Sequence, residues 1–419
     1  MLYYIFIIFC ALLPFQFALN PAPGIDLAIV RVIVPVMFLI WIISALKSKR
    51  ILLQKNKITC LFLIFLALAV FSLFFSHNLS WSLRKLFFLL SLAPLYFVAV
   101  SIFSEKCKQR AVIIALVGGT AAIAFVGIIQ FISQFFFGID SVYSFLAKSI
   151  APLFLGNSFS QAVLAYPSWL VNSNNNTYMR AIAVFPDPHM FSYYLGMLAP
   201  WSVALWATTK SHKKVFFFSS LLIILADILT FTRGGYIALI ASALIILPLV
   251  SKNTARKLIA GILMFVCLLA IVPHTPVTGR FVSSFDTQEG SNQARISNWQ
   301  QALKIISAHP FGVGIGMYSL AVDSSADYRK PIYAHNLYLD IAGELGIFSA
   351  LIFISLLFFV FKFFWKNSRG QAFFIAGVAS ITLFGVHSLV ESPLYSVHVL
   401  PLFLIIIALS AATKQHKHE

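Results

Sequence analysis

The feature that most constrains this chain is a succession of long apolar stretches separated by short polar loops. A helix needs about 20 apolar residues to cross the hydrocarbon core of a bilayer. Windows of that kind lie, approximately, at residues 3–19, 26–46, 58–76, 83–103, 111–135, 189–208, 215–232, 234–250, 257–273, 336–364, 371–390 and 393–412. The pattern therefore predicts an all-α fold: a polytopic membrane protein with about 12 transmembrane helices.

The composition supports a membrane protein and argues against a soluble one. Of the 419 residues, 60% are hydrophobic and 10% are charged, whereas a soluble domain carries about 25% charged residues. The net charge of +17 does not indicate nucleic acid, because the basic residues form small clusters between apolar stretches instead of one patch. We expect the lipid bilayer to be a partner of this chain and nucleic acid not to be one.

The basic clusters predict how the chain is oriented. Most of the 30 basic residues lie in loops that fall on one side of the membrane if there are twelve spans. These clusters lie at residues 47–57, 106–110, 210–214, 252–257, 362–369 and 414–417. Because cytoplasmic loops carry an excess of Lys and Arg, this side is predicted to be cytoplasmic, and both termini lie there.

Two long segments are predicted on the opposite face. Residues 136–188 form the first and residues 274–335 the second, and both are expected to contain short helices. Loops of this length within a compact protein are usually functional. We treat residues 1–419 as a single integral membrane domain, with the candidate catalytic residues in and around the second segment.

Arg233 is the first candidate, in the sequence Thr-Arg-Gly-Gly-Tyr at the outward end of the seventh window. An Arg at membrane depth is costly and is usually functional or paired. The alternatives are that Arg233 extends to the interface or pairs with Asp227. The two adjacent glycines would let a ligand approach the backbone closely.

Arg295 is the second candidate and lies in the second outward segment. Apolar residues at helical spacing predict a helix that begins after an N-cap at Ser291 or Asn292. They are Ile296, Trp299, Leu303 and Ile306. Arg295 would then lie in the first turn, where backbone N–H groups and the helix dipole favour anions. The alternative is a solvated surface Arg.

His335 is the third candidate and lies directly before the tenth window. At a helix N-terminus, the dipole would disfavour the charged imidazolium, and a general base needs the neutral ring. The alternative is an interfacial His with a structural hydrogen bond. His189, His309 and His387 are rival histidines.

A glycine-rich segment, His-Pro-Phe-Gly-Val-Gly-Ile-Gly, occupies residues 309–316. No Lys-Ser/Thr follows it and no βαβ pattern surrounds it, so it does not indicate a nucleotide-binding loop. We expect a flexible connector.

Three of these segments together resemble a known family. They are Thr-Arg-Gly-Gly-Tyr at 232–236, the stretch from Arg295 through residues 309–316, and His-Asn-Leu-Tyr-Leu-Asp-Ile-Ala-Gly-Glu-Leu-Gly at 335–346. In that order, on twelve predicted spans, they resemble the O-antigen ligase/polymerase superfamily of the bacterial inner membrane. Phe-Pro-Asp-Pro-His at 185–189 is also similar, although the family often has Asn in place of His189. The resemblance is strongest over residues 180–350.

The resemblance implies a glycosyltransferase with a periplasmic active site. Such enzymes transfer a glycan from undecaprenyl diphosphate to an acceptor hydroxyl, on lipid A-core or on a growing glycan. Arg233 and Arg295 would bind the diphosphate and His335 would receive the acceptor proton, with inversion and without a metal or other cofactor. Further substrate-binding residues are expected to be Arg180, His189, Arg280, Tyr333 and Asn336.

Two other functions stay open. An O-antigen or exopolysaccharide polymerase of the same superfamily would share these motifs, because acceptor choice depends on the shape of a cavity. A polytopic transporter or flippase would instead use Asp26, Arg31 and Asp227. Transporters often contain internal repeats, and this sequence has no clear one, while its candidate residues gather at the outward face.

Overall fold

The computed structural model describes residues 1–22, 25–49, 54–165, 168–173, 176–271, 290–328 and 331–412, and most of them are helical. The α-helices are α1 (Leu2–Leu12), α2 (Val30–Ser48), α3 (Lys57–Phe71), α4 (Leu79–Leu92), α5 (Pro94–Ile102), α6 (Lys106–Phe137), α7 (Ile139–Phe145), α8 (Ala151–Leu155), α9 (Asn157–Ala165), α10 (Pro188–Thr208), α11 (Lys213–Leu229), α12 (Arg233–Ile245), α13 (Lys252–Ile271), α14 (Gly290–Ala308), α15 (Tyr318–Val322), α16 (Leu337–Leu345), α17 (Ile347–Asn367), α18 (Ala372–His387) and α19 (Val399–Ala412).

Within the described ranges, two short antiparallel hairpins interrupt this helical fold. Strands β1 (Ala18–Ala22) and β2 (Ile25–Ala28) pair between α1 and α2, and β3 (Leu170–Ser173) pairs with β4 (Asn176–Met179) before α10. The second hairpin lies in the predicted outward segment 136–188, which also contains α7, α8 and α9. The prediction of short helices in that segment is therefore matched, and a small β-hairpin accompanies them.

The lengths and hydropathy of the helices identify candidate membrane spans. Within the described residues, five are long and apolar enough to cross a bilayer. They are Val30–Ser48, Lys57–Phe75, Leu79–Ile102, Cys107–Phe137 and Ile347–Asn367. Four shorter apolar helices accompany them, at Leu2–Leu12, Arg233–Leu249, Ala372–His387 and Val399–Ala412. A helix lies in each of the twelve predicted windows, but length and hydropathy do not confirm that twelve of them span.

The tenth predicted span is divided into two helices. Gly346 separates α16 from α17 and has a φ of +89°, a conformation that glycine adopts at little cost because it lacks a Cβ. A Cβ at Gly346 would lie 2.7 Å from the carbonyl carbon of Phe311. The break thus depends on glycine and on close packing against the glycine-rich segment.

That glycine-rich segment is packed in place and is not the flexible connector expected from the sequence. Val313 N–H donates to the Gly343 carbonyl and Gly314 N–H to the Glu344 carbonyl, both at 2.9 Å. These carbonyls lie in the last turn of α16, where a helix leaves acceptors unpaired. The three glycines at 312, 314 and 316 all have positive φ. These conformations let the backbone of the segment turn so that its N–H groups reach the last carbonyls of α16.

The centre of the bundle is built around α10 and α18. Helix α10 packs against α6, α11 and α18, while α18 also packs against α12. Small residues allow the close approach: a Cβ at Gly196 of α10 would lie 2.8 Å from Leu383 Cδ1 of α18. This packing fixes the predicted outward ends of α10, α12 and α18 relative to one another.

Helix α14 differs from its prediction. It begins at Gly290, before the predicted N-cap, so Arg295 lies in its second turn and not in its first. Ile296 and Leu303 are 42% and 56% exposed, whereas Ala302 and Ile306 are buried. Ile306 of the predicted apolar stripe is therefore buried, and beside it the small residue Ala302 contacts the bundle.

Candidate active site

Glu391 is the centre of a charged cluster at the predicted outward ends of the helices. It follows α18 in the loop before a short 3₁₀ turn at Pro393–Tyr395. Its Oε2 lies 3.2 Å from His335 Nδ1, and its Oε1 accepts a hydrogen bond from Arg295 Nη2 at 3.3 Å. His189 Nδ1 lies 3.5 Å from the same Oε1 but does not hydrogen-bond to it. Three residues predicted from separate motifs thus meet at one carboxylate.

The charges in this cluster shift the pKa values of its members in opposite directions. Burial alone would raise the pKa of Glu391, but His189, His335 and Arg295 outweigh it and lower that pKa well below its usual range. The hydrogen bond to Glu391 raises the pKa of His335 above its ordinary value, against the effect of burial. At neutral pH the carboxylate is ionised, and His335 is a stronger base than a free imidazole.

The position of His335 explains why the helix dipole does not lower its pKa as expected. Asn336 is the N-cap of α16, so His335 lies before the helix. Its φ of +52° is in the left-handed region, which is uncommon for a residue with a side chain. Direct contact with a carboxylate outweighs a dipole effect of about 0.3–1 kcal/mol.

His189 reaches the cluster because α6 holds the chain that precedes it. Gln130 Oε1 accepts hydrogen bonds from Ile182 N–H at 2.9 Å and Ala183 N–H at 3.3 Å. One turn later, Gln134 Oε1 accepts from Met179 N–H at 2.7 Å. The segment then enters α10 through its N-cap Asp187. Two buried glutamines therefore give this irregular segment the partners that buried backbone groups need.

Arg233 is the first residue of α12 and is 7% exposed. A Cβ at the next residue, Gly234, would lie 2.6 Å from Val390 Cγ2, beside Glu391 in the chain. The glycines thus allow α12 to pack closely against the end of α18. The expected approach of a ligand to this backbone stays a prediction. Asp227 accepts from Ser192 Oγ at 2.6 Å and is not a partner of Arg233.

Arg180 is buried and supports the turn that precedes Arg233. Its Nε donates to the Thr230 carbonyl at 2.7 Å, and its Nη2 donates to Thr232 Oγ1 at 3.1 Å. Its Nη1 donates to the Ser168 carbonyl at 3.1 Å. These contacts give Arg180 a structural role, and its expected contact with substrate remains a prediction.

The other predicted site residues lie in different places. Asn336 uses its side-chain oxygen to cap α16, accepting from Tyr338 and Leu339 N–H at 3.1 and 3.2 Å. The Tyr333 ring lies 5.5 Å from Lys85 Nζ. Arg280 lies outside the described residues. Of the rival histidines, His309 is exposed and His387 is fully buried and stacked on Tyr193.

Glu391 was missed by the sequence reasoning. It is an acidic residue in the short outward turn between the last two predicted spans, at residues 391–392. An acidic residue at a membrane boundary is expensive unless it has a partner or a function, so its position alone could have identified it.

The cluster combines a base with groups that stabilise negative charge. A carboxylate that accepts from His Nδ1 fixes the tautomer and leaves Nε2 to accept a proton. The guanidinium of Arg295 has five N–H donors, so its contact with Glu391 leaves others for an anion. Such a site can take a proton from a hydroxyl while it stabilises an anionic leaving group.

Comparison with known proteins points to one superfamily. Residues 218–354, which include Arg233, Arg295 and His335, match a family model described as O-antigen ligase. A protein described as O-antigen polymerase, from Salmonella muenchen, is 27% identical over 195 residues, which cover 44% of this chain and 46% of the relative. The match thus spans less than half the length of that relative. Together with the ordered motifs, these similarities support the resemblance of the chain to the O-antigen ligase/polymerase superfamily.

Proposed function

We propose that this chain is an O-antigen ligase-like glycosyltransferase of the bacterial inner membrane. It would move a glycan from undecaprenyl diphosphate to an acceptor hydroxyl of lipid A-core on the periplasmic face. The observation that carries the proposal is the contact of Glu391 with both His335 and Arg295, because it unites a base and an anion-binding group at one site.

In this proposal His335 is the general base. Its Nδ1–H donates to Glu391, and its Nε2 receives the proton of the acceptor hydroxyl. The side chain is 45% exposed, so an acceptor can reach it. A positioned base is worth about 10²–10⁴ in rate, and a pKa raised toward neutrality suits the role.

Arg233 and Arg295 bind the diphosphate of the donor. The acceptor oxygen attacks the anomeric carbon, the bond from that carbon to the diphosphate oxygen breaks, and the electron pair leaves with undecaprenyl diphosphate. The planar fork of Arg binds phosphate through two hydrogen bonds, and two Arg residues supply the positive charge that a divalent ion supplies in many glycosyltransferases. A single displacement inverts the anomeric configuration.

The test is His335→Ala, with His309→Ala as the matched control because His309 is exposed and outside the cluster. In a host lacking the chromosomal copy, His335→Ala should leave unmodified lipid A-core and glycan accumulated on the lipid carrier. His309→Ala should restore modification. Near-normal modification by His335→Ala, at equal protein level, would rule out the base and with it the proposed mechanism.

A polymerase is the second candidate, since the Salmonella muenchen relative is described as an O-antigen polymerase. The same deletion strain separates the two functions on a lipopolysaccharide gel. Core without any repeat unit would identify a ligase, whereas core carrying a single repeat unit would identify a polymerase. If neither the lipid A-core nor the glycan on the lipid carrier changes, the transporter or flippase becomes the better explanation.

A further inference from the structure

Asp340, on the first turn of α16, makes two hydrogen bonds that the proposed chemistry does not use. Its Oδ1 accepts from Ala334 N–H at 2.8 Å, and its Oδ2 accepts from the Ser392 hydroxyl. Asp340 is 6% exposed, so both bonds are shielded from water. An ionised carboxylate can accept at both oxygens at once.

The two partners of Asp340 are the chain neighbours of the two central residues of the site. Ala334 directly precedes His335, and Ser392 directly follows Glu391. One buried carboxylate therefore connects two loops that are 56 residues apart in sequence where His335 and Glu391 meet. The left-handed backbone of His335, with φ of +52°, is a conformation that needs such support from its surroundings.

A neighbouring ion pair places a positive charge near Asp340. Lys85 Nζ from α4 lies 2.6 Å from Glu344 Oε1, one turn along α16 from Asp340. Lys85, Asp340, Glu344 and Ser392 line the same small cavity, with the rings of Tyr333 and Tyr395. Lys85 Nζ also lies 4.0 Å from the centre of the Tyr395 ring. Helix α4 thus supplies positive charge beside two buried carboxylates.

We propose that Asp340 is a positioning residue that holds Glu391 against His335, with Lys85 as its electrostatic support. This inference rests on the proposed function, because it assigns Asp340 to the geometry of the base. Asp340 itself does not touch the substrate. Without Asp340, no carboxylate bonds to both Ala334 and Ser392, and the contact between Glu391 and His335 lengthens.

The test is the pH profile of purified protein in liposomes, with lipid-linked glycan extracted from the deletion strain as donor. The charged or titratable groups around this contact are Arg295, His189, His387, Asp187, Tyr193 and Asp340. Asp340→Ala should lower kcat/KM about 10–100-fold, as expected for a displaced catalytic group. The fall in activity of this variant at low pH (the acid limb of the profile) should move to lower pH by about one unit, because Glu391 no longer raises the pKa of His335. The control Asp323→Ala removes an exposed carboxylate that bonds only to Ser325 and should match the wild type.

Two milder variants keep the inference testable if Asp340→Ala fails to fold. Asp340→Asn retains an oxygen for Ala334 N–H, and the Ser392 hydroxyl can turn to accept from the amide, so its acid limb should stay near that of the wild type. Ser392→Ala cuts one of the two bonds and should shift the limb in the same direction as Asp340→Ala, by less. A fall in rate with an unshifted limb in both Asp340→Ala and Ser392→Ala would overturn the positioning role. The proposed function would fail separately, through an active His335→Ala variant.

Discussion

Replacing Glu391 by Gln is the sharpest perturbation of this site. The side chain keeps its size but loses the charge that faces His335 at 3.2 Å and Arg295 at 3.3 Å. The amide can also donate to His335 Nδ1, which would place the ring proton on Nε2, the atom that must receive the acceptor proton. We expect both the pKa of His335 and its tautomer to change.

The size of the pKa effect follows from the exposure of the two groups. Opposite charges 4 Å apart attract by about 1 kcal/mol in water and about 4 kcal/mol near a protein surface. The Glu391 side chain is 9% exposed but that of His335 is 45% exposed, so we take a value near the lower limit, about 1–2 kcal/mol. One pKa unit corresponds to about 1.4 kcal/mol, and the expected fall in the His335 pKa is about one unit.

The sign of the pH effect follows from the role of the base. His335 acts in its neutral form, so transfer falls as pH drops through its pKa, which in the wild type lies above the ordinary value of about 6.5. Glu391→Gln should move this acid limb to lower pH. On the plateau at high pH the ring is neutral in both proteins. The wrong tautomer should still lower the transfer rate of Glu391→Gln by about 10²-fold or more.

The assay is glycan transfer by purified protein in liposomes, measured from about pH 5 to about pH 9 so that the range brackets the ordinary His pKa. Glu391→Asp is the matched control. Asp keeps the charge but is shorter by one methylene, so it should retain the position of the acid limb and lose part of the rate. If Glu391→Gln matches the wild type in both plateau and limb, the carboxylate neither orients His335 nor sets its pKa, and the reasoning is refuted.

Two further predictions concern stability, measured by thermal unfolding in detergent. Arg180→Met removes the donor to the buried Thr230 carbonyl and Thr232 hydroxyl and to the partly buried Ser168 carbonyl. It should lower the unfolding free energy by about 3 kcal/mol or more, whereas lost transfer at unchanged stability would instead support substrate contact. Gly119→Ala places a Cβ against the Ala11 carbonyl and should destabilise the packing of α1 on α6, whereas Gly118→Ala, with nothing within 4 Å, should not. Equal effects would contradict the close contact.

Sequence reasoning predicted the features of the fold and site that depend on contiguous residues. Apolar windows and basic clusters predicted helices, because hydropathy and loop charge are properties of contiguous residues. Arg295 and His335 were predicted as site residues because each lies in a segment that resembles the superfamily. The division of the tenth span was missed, since one glycine in an apolar stretch is usually tolerated within a helix, and only the packing of residues 309–316 makes Gly346 a break.

What the sequence could not predict depends on distant contacts. Glu391 lies 56 residues after His335, and no local spacing relates the two. Burial of Arg180 as a support depends on the turn at 230–232, about 50 residues away. The direction of the His335 pKa was expected wrongly for the same reason, because the dipole of α16 is a local property and the Glu391 carboxylate is a tertiary one.

The capping of α16 by the glycine-rich segment has a consequence for evolution of the chain. The carbonyls of Gly343 and Glu344 are paired with the N–H groups of Val313 and Gly314 in a fixed register. Inserting or deleting one residue between 309 and 316 would shift that register and leave the end of α16 without its donors. Relatives that keep the break at this position should therefore keep the length of the segment, and changes in the two regions should be coupled.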